Sequence, residues 1–269
     1  MRALLLLLVP LLGCQPPEAP EDLSDLNRFL YREWDNDDPA VMAEGMRALW
    51  EDHLSLLDPD AERIDRSFEP GNLQPEDVAE LTAPPGTSIE DTLAIAVARH
   101  SAHGVDLHAR LMTEADQTPV ENTAELYDRQ FLDPTDPGCF ADRSCDTLIT
   151  VNDILRVNAI LRVRFDLFKD FRWFPVGDED HDHWGFIARS WLADSWVGES
   201  GNNTLVQSWT LDVWLDDPDG GLWRYQVLNT ESDIAGDPSD DLIRVTTRNG
   251  IDSQLGVADQ AIEDLYLSR

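Results

Sequence analysis

The chain has few cysteines and almost no lysine: three Cys among 269 residues, with Lys169 as the single lysine. No Cys-x-x-Cys-His occurs, which excludes covalent haem of the c type. Cys139 and Cys145 have no second thiol pair and no nearby His, so they fall short of a zinc pattern. Basic residues number 20 against 53 Asp and Glu, a net charge of −33. Without a basic footprint the chain is no general nucleic-acid binder. Gly-rich phosphate loops are missing. Gly198-Glu199-Ser200-Gly201-Asn202 is not a nucleophile elbow, because its last Gly is displaced and the string joins two expected strands. Among so many carboxylates, spacing cannot single out a glycosidase-type pair.

What is present argues for a folded chain. Hydrophobic residues make up 42% and there are nine Trp, too much apolar surface for wholesale disorder. The length allows one large domain or two modest ones.

The N-terminal apolar run, Ala3 to Leu12, is broken only by Pro10. It is too short to cross a bilayer, which takes about 20 residues, and fits the core of a secretory signal. It ends in Leu11-Leu12-Gly13-Cys14. That string resembles the lipobox of bacterial lipoproteins, and the resemblance implies cleavage before Cys14, lipidation of its thiol and attachment to a membrane through the acyl chains. Position 15 is Gln, not the Asp of the enteric inner-membrane retention rule, so the resemblance points to the outer membrane. The alternative, an uncleaved anchor or a buried helix, is opposed by Pro16, Pro17 and Pro20, which suit a tether.

With Cys14 assigned to lipid, Cys139 and Cys145 remain, five residues between them. In an exported chain they read as a disulfide closing a short loop, worth about 2 kcal/mol by loop entropy. The alternative is a metal site.

The first half reads helical. Leu23 to Trp34 carries an apolar stripe at positions 23, 26, 29, 30 and 34 with Asp22 or Ser24 as cap, and Val41 to Leu57 carries another after Pro39. Thr87-Ser88-Ile89-Glu90 has capping-box spacing before a stripe of Ile89, Leu93, Ala96, Val97 and His100. Asp106 to Ala115 and Glu121 to Phe131 complete the helical half.

From about Leu148 the period becomes two. In Leu161 to Trp173 the odd positions are apolar except for Lys169, while the even ones include Arg162, Arg164, Asp166, Asp170 and Arg172. Leu205 to Leu215 alternates likewise and should turn at Asp216 to Gly221 into Leu222 to Thr230. Trp184 to Val197 and Leu242 to Thr247 read as further strands, and Val257 to Leu267 as a closing helix. The expected fold class is α+β: an N-terminal helical half, an antiparallel meander of five or six strands and a C-terminal helix. The segments are a signal over 1–13, a tether over 14–22, a helical region over 23–132, a disulfide-loop junction over 133–147, and the sheet with its helix over 148–269.

Three surfaces could carry function. Asp178-Glu179-Asp180-His181-Asp182-His183 sets two imidazoles on one side of an extended segment among carboxylates, a pattern able to hold a divalent metal, though acidic loops abound in this chain. Arg162, Arg164 and Arg172 belong to a stretch, Leu148 to Pro175, with five basic residues against three acidic ones. They could meet an anionic ligand or partner, or form cross-strand ion pairs. Trp191 and Trp196 differ by an odd number, as do Trp209 and Trp214, so on regular strands one of each pair leaves the core. Trp191, Trp196 and Trp214 are the candidates for an exposed aromatic strip, unless a second layer covers them. His100, His103 and His108 cluster in sequence, and His100 extends an apolar stripe.

The expectation is a lipid-anchored envelope protein, non-enzymatic, binding a protein, glycan or lipid partner and needing no cofactor. The alternative is a metal-dependent envelope hydrolase using His181 and His183. Without residues 1–13 the chain has 19 basic residues against 53 acidic ones, −34, and Asp exceeds Glu by 36 to 17. Such a surface favours solubility and salt tolerance before it favours any partner.

Overall fold

In the computed structural model, which describes residues 17–121, 123–157, 162–177, 183–236 and 238–268, Asp22 accepts hydrogen bonds from the backbone N–H groups of Ser24 and Asp25 and starts helix α1 (Leu23–Arg32). Asp38 caps helix α2 (Pro39–Asp52) in the same way, with Pro39 in the first turn, where its missing N–H costs nothing. Strands β1 (Ser67–Phe68) and β2 (Leu93–Ser101) follow, then helix α3 (Val105–Met112), strand β3 (Ala124–Asp133) and the short helix α4 (Gly138–Ala141). Six more strands are β4 (Thr147–Val157), β5 (Arg162–Pro175), β6 (Trp184–Trp191), β7 (Trp196–Val197), β8 (Thr204–Asp216) and β9 (Leu222–Asp233). Helix α5 (Asp240–Ile262) ends in a π turn over Glu263–Leu267.

The fold class is α+β, with more strands than the pattern suggests. Among the described residues nine strands form one antiparallel sheet in the order β1-β2-β9-β8-β6-β5-β4-β3, with β7 paired to β8. The strands of the expected helical half flank the meander: β2 pairs with β9, and β3 pairs with β4. No helix among the described residues is long and apolar enough to cross a membrane.

Three expected elements differ. Leu93 to Ser101 is strand β2, because Ile95 and Val97 pack with Ile251 and Leu255 of α5 while Ala96 and Ala98 join the core on the opposite face. A strand buried on both faces loses its alternation, and the remaining apolar residues imitate a helical stripe. Glu121 to Phe131 is largely strand β3, whose alternation is masked by Arg129, a cation buried on the inner face beside Tyr127. Leu242 to Thr247 belongs to α5. Ser239 caps it, Asp240 and Asp241 suit its first turn, and Arg244 and Arg248, one turn apart, both reach Glu69.

Both faces of the sheet are covered. Leu26, Phe29 and Leu30 of α1 and Met42, Met46 and Leu49 of α2 pack on Trp209, Leu211, Val213, Trp223 and Tyr225. On the other face α3, α4 and α5 bring Ala109, Met112, Phe140, Ala258 and Ile262 onto Phe171, Trp173, Phe186 and Trp214. Cys139 and Cys145 form a disulfide with their Cα atoms 5.2 Å apart. The loop they close buries Phe140 within 5.5–5.9 Å of Phe171, Trp173 and Phe186, and Trp173 Nε1 donates to the Phe140 carbonyl at 2.8 Å.

One polar seam joins the α1 layer to the sheet. Arg189 donates to both carboxylate oxygens of Asp35, at 2.6 and 3.1 Å, and lies 3.5 Å from Asp170. Burial pushes the Asp170 carboxyl up to about 6 despite the attraction of Arg189. An acid whose folded pKa exceeds its unfolded value near 3.8 holds more protons when folded between those values, so its contribution to stability falls as pH rises from about 4 to about 6. Urea unfolding of the wild type and Asp170→Asn across that range should show the difference in stability declining and then levelling; a rising difference contradicts the assignment.

Candidate functional site

At one end of the sheet, helix α2, the residues that end β5 and begin β6 (Val176, Gly177, His183 and Trp184) and the β8–β9 turn line a cleft of about 330 Å³. Its position follows from local packing. Gly185 allows close contact with α2, since a Cβ there would stand 2.7 Å from Met46 Cε and 2.8 Å from Leu215 Cδ2. Arg47 of α2 donates from Nε to the Val176 carbonyl at 3.2 Å and from Nη2 to the Gly177 carbonyl at 3.5 Å. The backbone N–H groups of Val176 and Gly177 in turn donate to the His183 carbonyl at 2.9 and 3.0 Å.

The lining combines indoles with polar and charged side chains: Trp50 and Trp184, both half-buried, with Arg47, Glu51, His183 and Asp216. Trp184 meets Trp173 edge-on at 6.3 Å, and the Arg143 guanidinium lies 5.2 Å from both rings. Asp216 accepts the Val105 N–H at 3.1 Å and so caps α3. Burial raises the Asp216 pKa; the hydrogen bond from Val105 works against this, and so do Arg143 and His183. Such a cleft can hold a small ligand that stacks an apolar face on indole and gives hydroxyl or amide groups to the carboxylates.

Of the residues singled out by sequence, His183 lines this cleft. His181 lies outside the described residues, as do Leu11, Leu12, Gly13 and Cys14 of the lipobox-like string. Among the described residues no three His, Cys, Asp or Glu side chains are placed to hold a metal ion. The Arg162 guanidinium pairs with Glu125 at 2.9 Å and Glu199 at 2.8 Å, and Arg164 pairs with Asp153. Arg172 donates to the carbonyls of Trp34 and Asn36 at 2.9 and 3.1 Å. These three arginines make internal contacts and do not converge.

The aromatic strip is not formed, because the sheet has a layer on each side. Trp214 is 1% exposed and stacks on Phe186 at 4.3 Å, while Trp209 is buried on the opposite face. Trp191 stacks on Phe168 at 5.5 Å, and Trp196 packs on a separate small core with Leu192 and Leu205. The three clustered histidines have separate partners. His100 lies 3.1 Å from Asp217, His103 lies 3.7 Å from Glu263, and buried His108 meets Ser101 Oγ at 3.1 Å. Trp50, Arg47 and Asp216 carry no local sequence signal of a site, because they sit on a helix and a turn that only tertiary contact brings together.

No family model and no curated protein matches the sequence. Solved structures that resemble the fold include a STAR-related lipid transfer protein (fragment 25–204) from Xanthomonas axonopodis, with a TM-score of 0.43 and 11% identity over 63% of this chain and 85% of that one. TTHA0849 from Thermus thermophilus gives 0.39 and 13% over 64% and 97%. Ara h 8.0201 gives 0.33 and 12% over 64% and 99%. At these values the likenesses carry nothing about ligand or chemistry, which rest on the residues themselves.

Proposed function

We propose that the protein is a non-enzymatic, lipid-anchored binding module of a bacterial envelope that takes a small glycan in the cleft between α2 and the adjoining ends of β5 and β6. The observation carrying the reading is the lining of that cleft, two half-buried indoles beside Arg47, Glu51 and Asp216. Sugars suit it because their C–H faces stack on indole while their hydroxyls reach charged side chains.

Titration calorimetry with β-linked N-acetylglucosamine oligomers provides the test. Trp50→Ala and Trp184→Ala should each weaken binding about tenfold, equivalent to about 1.4 kcal/mol. Absence of binding by the wild type, or full affinity in both variants, defeats the glycan assignment.

The anchor rests on Leu11-Leu12-Gly13-Cys14 followed by Gln15. Attachment through two or more acyl chains is durable where one chain is not. Expressed in a bacterium with lipoprotein processing, the wild type should fractionate with outer membranes and yield an acylated Cys14 by mass spectrometry. Cys14→Ser should appear in the soluble fraction, and a Cys14→Ser chain still bound to membrane would count against the anchor.

A further inference from the structure

The face of the sheet under α3 and α5 carries buried charge that the glycan cleft does not use. Register places Thr150, Lys169, Ser190 and Thr210 in one row across β4, β5, β6 and β8. The next rows bring Asp212 opposite Gln226 and Trp214 opposite Arg224 across β8 and β9. Arg129 of β3 stands opposite Asn152, with its guanidinium 5.2 Å from the Phe171 ring centroid. Arg129, Asp212 and Arg224 are 3%, 3% and 5% exposed, and the Lys169 side chain 11%.

The charges do not balance. Lys169 is paired with Asp212. Arg129 donates to the Asn152 amide oxygen at 2.8 Å, the Tyr127 hydroxyl at 3.4 Å and the Met112 carbonyl. Arg224 donates to the Leu255 carbonyl at 3.3 Å. Neither guanidinium has an ion-pair partner among the described residues, although the chain has 53 acidic side chains to offer. Two donors on this face, Arg224 Nε and Trp214 Nε1, are buried without a hydrogen-bond partner, and the Arg224 guanidinium lies 5.3 Å from the Trp214 ring. Gln226 Oε1 is likewise unpartnered and can accept a hydrogen bond from a ligand O–H or N–H.

Buried cations without an ion-pair contact are costly, and unpaired buried donors add to that cost. Both are relieved by a group that brings negative charge and acceptor atoms together. We propose that this face is a second binding site, for an organic anion whose carboxylate, sulfonate or phosphate sits at Lys169, Arg224 and Trp214 Nε1. Its apolar body packs on the neighbouring side chains of the inner face, which include Phe171, Ile95 and Leu228. A bare inorganic anion is disfavoured there, because it would lose its hydration without burying any apolar surface.

Fluorescence titration with anilinonaphthalene sulfonate and with phenylnaphthylamine, which lacks the sulfonate, tests the proposal on the full chain. A surface of net −33 repels the sulfonate, so a preference for it reports a local cationic site. The wild type should bind the sulfonate at least tenfold more tightly than the neutral dye, and Arg224→Met should abolish that preference. Arg224→Met removes an unpaired buried cation, so its thermal unfolding should match or exceed that of the wild type, which separates lost binding from lost folding. Lys169→Met should reduce the preference, and excess inorganic phosphate should leave it unchanged. Equal affinity for the two dyes, no binding of either, an unaltered preference in Arg224→Met or full competition by phosphate would each overturn the proposal. Trp50→Ala should bind both dyes as the wild type does, so the two sites succeed or fail separately.

Discussion

Gly221→Ala is expected to destabilise the protein by about 4 kcal/mol, combining left-handed strain with an overpacked contact. Gly221 has φ +84°, and a Cβ built on it would lie 2.1 Å from the Ser101 carbonyl oxygen and 3.2 Å from Ala102 Cα. Those neighbours are backbone and cannot rotate away, so the β8–β9 turn would have to move off the end of β2. The register there is closed by Ser101 opposite Leu222, and the shift would spread into the pairing of β2 with β9. Gly220→Ala is the control. It has φ +108° but open space around its Cβ, so it carries the conformational strain alone, roughly 1–3 kcal/mol. Equilibrium urea unfolding should separate the two by about 2 kcal/mol; equal losses would show that the contact with Ser101 is unimportant.

Asp212→Leu should cost a comparable amount, about 3–5 kcal/mol, because it strands buried cations. Asp212 is the carboxylate paired with Lys169, and its charge also supports Arg129 and Arg224. Burial lowers the pKa of both arginines, and Asp212 opposes that shift. In a domain of this size the loss corresponds to a fall in Tm of roughly 10 °C. Adding Lys169→Met to Asp212→Leu removes one stranded charge and should recover about 2 kcal/mol, a coupling visible in a double-mutant cycle. A loss under about 1 kcal/mol for Asp212→Leu, or strict additivity of the two changes, would contradict this account.

The sheet was legible wherever one strand face was apolar and the other polar, as in β5 and β8. It was illegible in β2, where both faces are buried, and in β3, where a buried Arg interrupts the pattern. The polar positions of β8 illustrate the same limit. Thr210 and Asp212 alternate with Trp209 and Leu211 as solvent-facing residues would, yet all are buried. Alternation reports a difference between two faces and not which of them meets water. Lys169 was a visible signal of the inner charge cluster, since it is the chain's single lysine and falls among the apolar positions of its strand. Its partner Asp212 could not be chosen among 36 aspartates without the register of β5, β6 and β8.

By itself the sequence determined the lack of lysine, the acidic surface, the lipobox-like string, the start of α1 at Asp22 or Ser24 and of α2 at Pro39, the Cys139–Cys145 pair and the α+β class. Each of these depends on composition or on residues close along the chain. Only the tertiary structure decided that α1 and α2 cover one face of the sheet and α3 and α5 the other, which buries Trp209 and Trp214 alike. It also decided that Trp50 and Trp184 share a cleft, and that Arg129, Lys169 and Arg224 gather around one carboxylate. The physical reason is that these groupings depend on strand register and helix docking between segments tens of residues apart, where local periodicity carries no information.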